Sequence, residues 1–119
     1  MPMESIGFVR GGRVEATKDG WGSNLGADEP TEYGARRPRG RADWPTVGIF
    51  AQHGRMRPNR IGVSVCRLLS IVGLTLVLEG LDAVDGSPVL DIKPVWNGYL
   101  PREAVREPQW AKDLMAGYW

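Results

Sequence analysis

A chain of 119 residues, 42% of them apolar, is the size of one domain and could bury roughly two thirds of its unfolded surface around a single core. Sixteen Gly and nine Pro exclude an ordinary helical bundle, and they follow no collagen-like period, so turn-rich β structure fits best. A net charge of +1 excludes capture of nucleic acid by the field of the whole molecule, while one Cys and one His exclude an internal disulfide and a Cys/His zinc cluster. A reducing, cytoplasmic setting without a bound metal is therefore expected. Met1-Pro2-Met3-Glu4-Ser5 has neither a basic start nor an apolar block, so no signal peptide is expected. The longest apolar run, Leu68 to Leu78, is broken by Ser70, Gly73 and Thr75 and falls short of the ~20 residues of a spanning helix.

In chain order, Ser5 to Arg10 alternates as a short strand stopped by Gly11-Gly12. Residues 11–45 carry little periodicity, with Trp21, Leu25, Tyr33 and Trp44 scattered among Gly, Asp, Asn and Pro, and are expected to be irregular. From Thr46 a strand is predicted, with Val47, Ile49 and Ala51 on one face, Phe50 on the other, and Gln52-His53-Gly54 closing it. After Arg57-Pro58-Asn59-Arg60, a second strand places Ile61, Val63, Val65 and Leu69 opposite Ser64, Cys66, Leu68 and Ser70. Gly73 then reverses the chain into the alternation of Leu74, Leu76 and Leu78, which predicts a β-hairpin. Asp85-Gly86-Ser87-Pro88 turns into a last strand, Val89 to Lys93, ended by Pro94. A short helix is predicted over about 108–116, begun by Pro108, striped by Trp110 and Leu114, and stopped by Gly117. Tyr118 and Trp119 are expected to dock on the body of the protein.

The two dense turns, 57–62 and 82–88, set backbone-fixing Pro and permissive Gly beside charged groups, the pattern of a ligand-binding rim. They are expected side by side at one mouth of the sheet. Between Arg36 and Arg60 stand seven Arg against one acid, Asp43. Guanidinium grips oxyanions through a planar fork, so this local excess suits an anionic partner, RNA or a smaller ligand. His53 is isolated in sequence from any nucleophile or carboxylate that would complete a hydrolytic arrangement. Asp82, Asp85 and Asp91 lack the ligand spacing of a calcium loop, and Asp85 reads as a local Asx turn ahead of Gly86. Asp91 and Lys93, two apart on a strand, are expected to pair.

Taken in order, these residues resemble the TrmO (TsaA-like) family of S-adenosylmethionine-dependent tRNA adenine-N6 methyltransferases. Gly48-Ile49-Phe50-Ala51-Gln52-His53 is similar to the family's Gly-Val-Phe-Ala-Thr-Arg. Arg57 to Ser64 resembles Arg-Pro-Asn-Pro-Ile-Gly-Leu-Ser, and Asp85 to Pro94 resembles Asp-Gly-Thr-Pro-Val-Leu-Asp-Ile-Lys-Pro. Ile6 to Arg10 is similar to the family's first strand.

The resemblance implies a small antiparallel β-barrel with a short C-terminal helix, one domain over 1–119, acting as a homodimer in the cytoplasm. It implies methyl transfer from S-adenosyl-L-methionine to a modified adenine beside the tRNA anticodon. Carried over by position, cofactor contacts fall on His53, Val63, Glu79, Gly80, Leu81 and Asp82; the local Arg excess and its turn place the expected tRNA contacts on Arg37, Arg39, Arg41, Arg55, Arg57 and Asn59. No residue is assigned as a catalytic base. Two departures stand out. The family's strands between the opening strand and the Arg-rich loop are missing here, which predicts a shortened, incomplete barrel. His53 also replaces Arg, so a permanent cation gives way to a pH-dependent one. The alternative expectation is a non-catalytic remnant of the same fold that binds RNA or a partner.

Overall fold

The computed structural model describes residues 2–12, 33–54 and 56–118. The elements run β1 (Gly7–Phe8), β2 (Ala35–Arg36), a 3-10 turn (Pro38–Gly40), β3 (Val47–Gly48), a second 3-10 turn (Ile49–Ala51), β4 (Arg67–Val72), β5 (Thr75–Glu79), β6 (Pro88–Val89), a third 3-10 turn (Asn97–Tyr99) and helix α1 (Gln109–Met115). All three strand pairs are antiparallel: β1 with β6, β2 with β3, and β4 with β5. The mostly β class with one helix is as predicted. Each sheet has two strands, and no closed barrel forms among the described residues. Most of the predicted irregular span lies outside the described residues, but its end contains β2 and the first 3-10 turn.

The β4–β5 hairpin reverses at Gly73 as predicted, with Val72 opposite Thr75 across Gly73-Leu74, but β4 begins at Arg67, so the strand predicted from Ile61 is shorter than expected. Gly73 takes φ 59°, a positive value at the first central position of a two-residue turn, where a side chain is strained. A register shift between Leu68 and Ser70 leaves Leu69 unpaired, so the simple alternation breaks at that point. The hairpin's apolar residues remain open to solvent on both faces, and Leu74 at its tip is 106% exposed.

Among the described residues, the buried hydrophobic side chains lie elsewhere, at Val9, Trp44, Ile49, Ala83 and Val84. The β1–β6 pair is extended by backbone bonds from Val9 N to Ser87 O (2.9 Å) and from Gly86 N to Val9 O (2.8 Å), which fasten the 82–88 turn to the opening strand. Gly12 comes so close to this turn that an added Cβ would lie 2.5 Å from Ala83 O and 2.9 Å from Asp85 N. Asp85 does not make a local Asx bond there. Its Oδ1 accepts from Gly11 N at 2.7 Å, so the carboxylate ties two distant segments together. The β2–β3 pair is finished by a side chain: buried Gln52 donates from Nε2 to Arg36 O (3.0 Å) and Val47 O (2.9 Å).

Helix α1 begins after Pro108 and ends at Ala116, and Gly117 with φ 76° turns the chain away. Trp110 and Leu114 are half-buried, as their spacing predicts, and the Trp110 ring meets Trp44 with centroids 6.5 Å apart. Tyr118 docks, donating its hydroxyl to Asp82 Oδ2, while Trp119 lies outside the described residues. No described helix is long and apolar enough to cross a membrane. Among the described residues no group of three or more His, Cys, Asp or Glu could hold a metal ion.

Candidate functional site

Arg57 to Arg60 form a β-turn closed by Arg60 N donating to Arg57 O at 3.0 Å, with Pro58 at the position whose fixed φ favours such a turn. Its outer wall faces an open hollow of about 260 Å³ lined by Phe50, Arg57, Pro58, Asn59, Arg60, Ile61 and Val63. Phe50 is 74% exposed because the chain leaves β3 in a 3-10 turn, where strand continuation was predicted, and the turn presents the ring outward. The Arg57 guanidinium sits 5.4 Å from the Phe50 ring centroid. Arg60 holds φ 53°, a left-handed conformation uncommon for a residue with a side chain.

The hollow unites Val63, an expected cofactor contact, and Arg57 and Asn59, expected tRNA contacts, with Phe50, Pro58, Arg60 and Ile61, to which no contact was assigned. Phe50 carried a signal in sequence, since it is the lone aromatic on the opposite face of its segment. The Asp-Gly turn does not line this hollow; Asp85 and Gly86 are occupied with Gly11 and Val9. The expected adjacency of the two regions survives at a hydrogen bond between them. Ser64, next to Val63, donates from Oγ to the Asp82 carbonyl oxygen at 3.3 Å.

Of the other positions that the resemblance assigns to the cofactor, Glu79 to Asp82 follow one another at the end of β5, and His53 lies apart from them in the chain. Glu79 pairs with Arg67 across the hairpin at 4.0 Å, both side chains being well exposed. Gly80 has φ 80°, which swings the chain from the hairpin into Leu81 and Asp82. Leu81 stays exposed, whereas Asp82 is half-buried with Oδ1 shielded from solvent. His53 is exposed just beyond Gln52.

Of the arginines, Arg57 donates from Nη1 to Ile49 O (3.1 Å) and Gln52 O (2.6 Å), clamping its own turn to the end of the Ile49–Ala51 turn. Arg37 donates to Ala42 O and, at 3.4 Å, to Trp44 O, rounding off the 38–44 loop. Arg41 lies 4.1 Å from the Trp44 ring centroid and forks onto Asp43 at 3.0 and 2.5 Å. That hydrogen-bonded pair holds the Asp43 carboxyl below its ordinary range and raises the guanidinium in turn. Arg39 is exposed with φ 51°. Arg55 lies outside the described residues. Asp91 and Lys93 pair at 2.7 Å as expected. Burial pushes the Cys66 thiol up from its ordinary value.

A family model for the tRNA-methyltransferase O N-terminal domain matches residues 25–99. The chain belongs to this family. Within the TrmO N-terminal family, it is 47% identical over 60 residues to a protein of Pyrococcus abyssi named "Probable S-adenosyl-L-methionine-binding protein", covering 50% of this chain and 30% of that one. It is 37% identical over 68 residues to the human tRNA (adenine(37)-N6)-methyltransferase, covering 57% of this chain and 15% of the relative. It is 46% identical over 59 residues to the Escherichia coli tRNA (adenine(37)-N6)-methyltransferase, covering 46% of this chain and 23% of the relative. In these three pairs the chain thus spans a third or less of each relative. No solved structure matches.

Proposed function

We propose that this chain binds S-adenosyl-L-methionine and transfers its methyl group to the N6 position of a modified adenine beside the tRNA anticodon, as a shortened TrmO-family member. The observation that carries the reading is the family match over 25–99, which runs through both the hollow and the Glu79–Asp82 corner. Relatives named as S-adenosyl-L-methionine-binding proteins and tRNA adenine methyltransferases support the cofactor and substrate class.

The residues present fit the cofactor in part. A hollow of about 260 Å³ suits a nucleoside-sized fragment better than the whole molecule, being smaller than the usual pocket for a drug-sized ligand. In this reading Val63, 85% exposed, and Leu81 offer apolar contact to the adenine ring, Gly80 allows close backbone approach, and Asp82 holds a ribose hydroxyl or the methionyl ammonium. Glu79 and His53 stand at the rim. When bound, the cofactor would supply an electrophilic methyl group for transfer to the adenine N6. The chain's task is alignment, which requires no covalent enzyme intermediate.

For tRNA, Arg39, Arg55 and Asn59 are proposed as contacts, together with the outer edges of Arg37, Arg41 and Arg57, whose inner edges serve the fold. The exposed Phe50 ring beside Arg57 suits stacking against an unpaired base. The protein is proposed to act in the cytoplasm as a homodimer in which a second subunit covers the apolar hairpin and completes the barrel. The bare hairpin faces equally favour a second reading, a remnant that binds RNA or a protein without methyl transfer.

Calorimetric titration with S-adenosylmethionine and S-adenosylhomocysteine, joined to methyl transfer from labelled cofactor to total tRNA, tests the reading. Binding with transfer is the expected result, and His53→Arg should tighten the cofactor at neutral pH. Salt-sensitive tRNA binding without cofactor heat or transfer would select the remnant.

A further inference from the structure

We propose that Tyr118 is an internal latch on the Asp82 carboxylate, so that a ligand reaching for that carboxylate must first displace the tyrosine and loosen helix α1. The inference rests on the reading above, in which Asp82 contacts the cofactor.

Both carboxylate oxygens are covered in the structure. Oδ1 is shielded from solvent, and Oδ2 accepts the hydrogen bond from the Tyr118 hydroxyl. A ribose hydroxyl or an ammonium would offer the same kind of donor to the same atom, so the two compete. Asp82 is fixed beside the hollow by its carbonyl, which accepts from Ser64 Oγ at 3.3 Å one residue beyond Val63. The latch therefore closes on a group already held in place.

The release of this latch is inexpensive because of how it is mounted. Helix α1 has 7 residues, about half the length at which an isolated helix becomes marginally stable in water, so its order depends on what it docks against. One anchor is Trp110 against Trp44. Another is Tyr118, brought round by Gly117 at φ 76° and steadied by its own N–H donating to Met115 O at 3.1 Å. Removing such an anchor from so short a helix weakens its hold, so that the segment opens locally without unfolding the rest.

The test compares S-adenosylmethionine binding by calorimetry in the wild type, Tyr118→Phe and Trp110→Ala. Tyr118→Phe keeps the ring and deletes the competing donor, and should raise affinity about tenfold, the equivalent of one hydrogen bond to a charged group. Trp110→Ala, which frees the helix, should raise it in the same direction. In the wild type, saturating S-adenosylmethionine should speed amide exchange at Lys112 to Ala116. Wild-type binding with Tyr118→Phe unchanged or weaker overturns the latch alone and leaves the proposed function standing. If neither the wild type nor either variant binds, the latch falls together with the cofactor reading. Binding by the variants but not by the wild type supports a latch closed at rest.

Discussion

The Arg57 Nη1 atom lies 2.6 Å from the carbonyl oxygen of Gln52, so the Arg-Pro-Asn turn is fastened to the end of the preceding 3-10 turn by a side chain that reaches back five residues. The same atom reaches Ile49 O at 3.1 Å. The wall of the hollow is thus shaped by an arginine whose charge satisfies backbone carbonyls before it meets any ligand.

Arg57→Ala should lower unfolding stability by about 1.5 to 3 kcal/mol, the usual loss for hydrogen bonds to a charged donor, and should unshape the hollow. Arg57→Lys should recover only part of this, because an ammonium lacks the flat fork. Urea unfolding followed by tryptophan fluorescence measures both. A change within 0.5 kcal/mol in Arg57→Ala, roughly that of an ordinary surface substitution, would show that the clamp has no structural role.

Gly12→Ala and Ser87→Ala should shift stability in opposite directions. A Cβ on Gly12 would stand 2.5 Å from the Ala83 carbonyl oxygen, a backbone atom that cannot swing aside, and should cost about 1 to 3 kcal/mol. Ser87 is 1% exposed and its buried Oγ lacks a hydrogen-bond partner, so removing the hydroxyl should leave stability equal or slightly higher. Thermal midpoints of the two variants against the wild type decide the matter.

Acid should loosen the Arg41–Asp43–Trp44 corner. The Asp43 carboxyl is depressed in the folded state by its hydrogen bond to Arg41, so its contribution is present above the unfolded carboxylate value of about 3.9 and is lost as pH falls through the lower folded value. Both groups are exposed, so the effect is small and salt-sensitive. A fluorescence change below about pH 4, missing in Asp43→Asn, is the expected outcome.

The homodimer proposed above predicts that charging the bare hairpin prevents association. Ile71→Lys and Val72→Lys alter residues that are 62% and 67% exposed, so the isolated fold should keep its stability while sedimentation shifts from dimer to monomer. A wild-type chain that sediments as a monomer at every concentration would remove the dimer from the proposal.

Local features of this fold were legible in the sequence. Gly73 between two apolar alternations marked the hairpin, and Pro108, Trp110, Leu114 and Gly117 marked the helix, because each signal acts over a few residues. Strand β2 was not legible, since two residues are too few for any periodicity, and β3 gave way early to a 3-10 turn that alternation cannot distinguish from extended chain. Around Leu69 alternation shows which residues share a side, not what lies against it, and the hairpin's apolar residues stay more than a third exposed on both faces. Side-chain destinations were the least visible. Asp85 reaches Gly11 across 74 positions, and Arg37, Arg41 and Arg57 turn to the protein's own groups. Such partners are chosen by tertiary geometry, whereas local sequence records only that a charge is present.

Gln52 illustrates how far one such choice reaches. Where a third backbone rung would continue the β2–β3 ribbon, a carboxamide occupies both waiting oxygens, of Arg36 and of Val47. The ribbon therefore carries its own stopper. The chain is set free at that spot to curl outward and show the Phe50 ring.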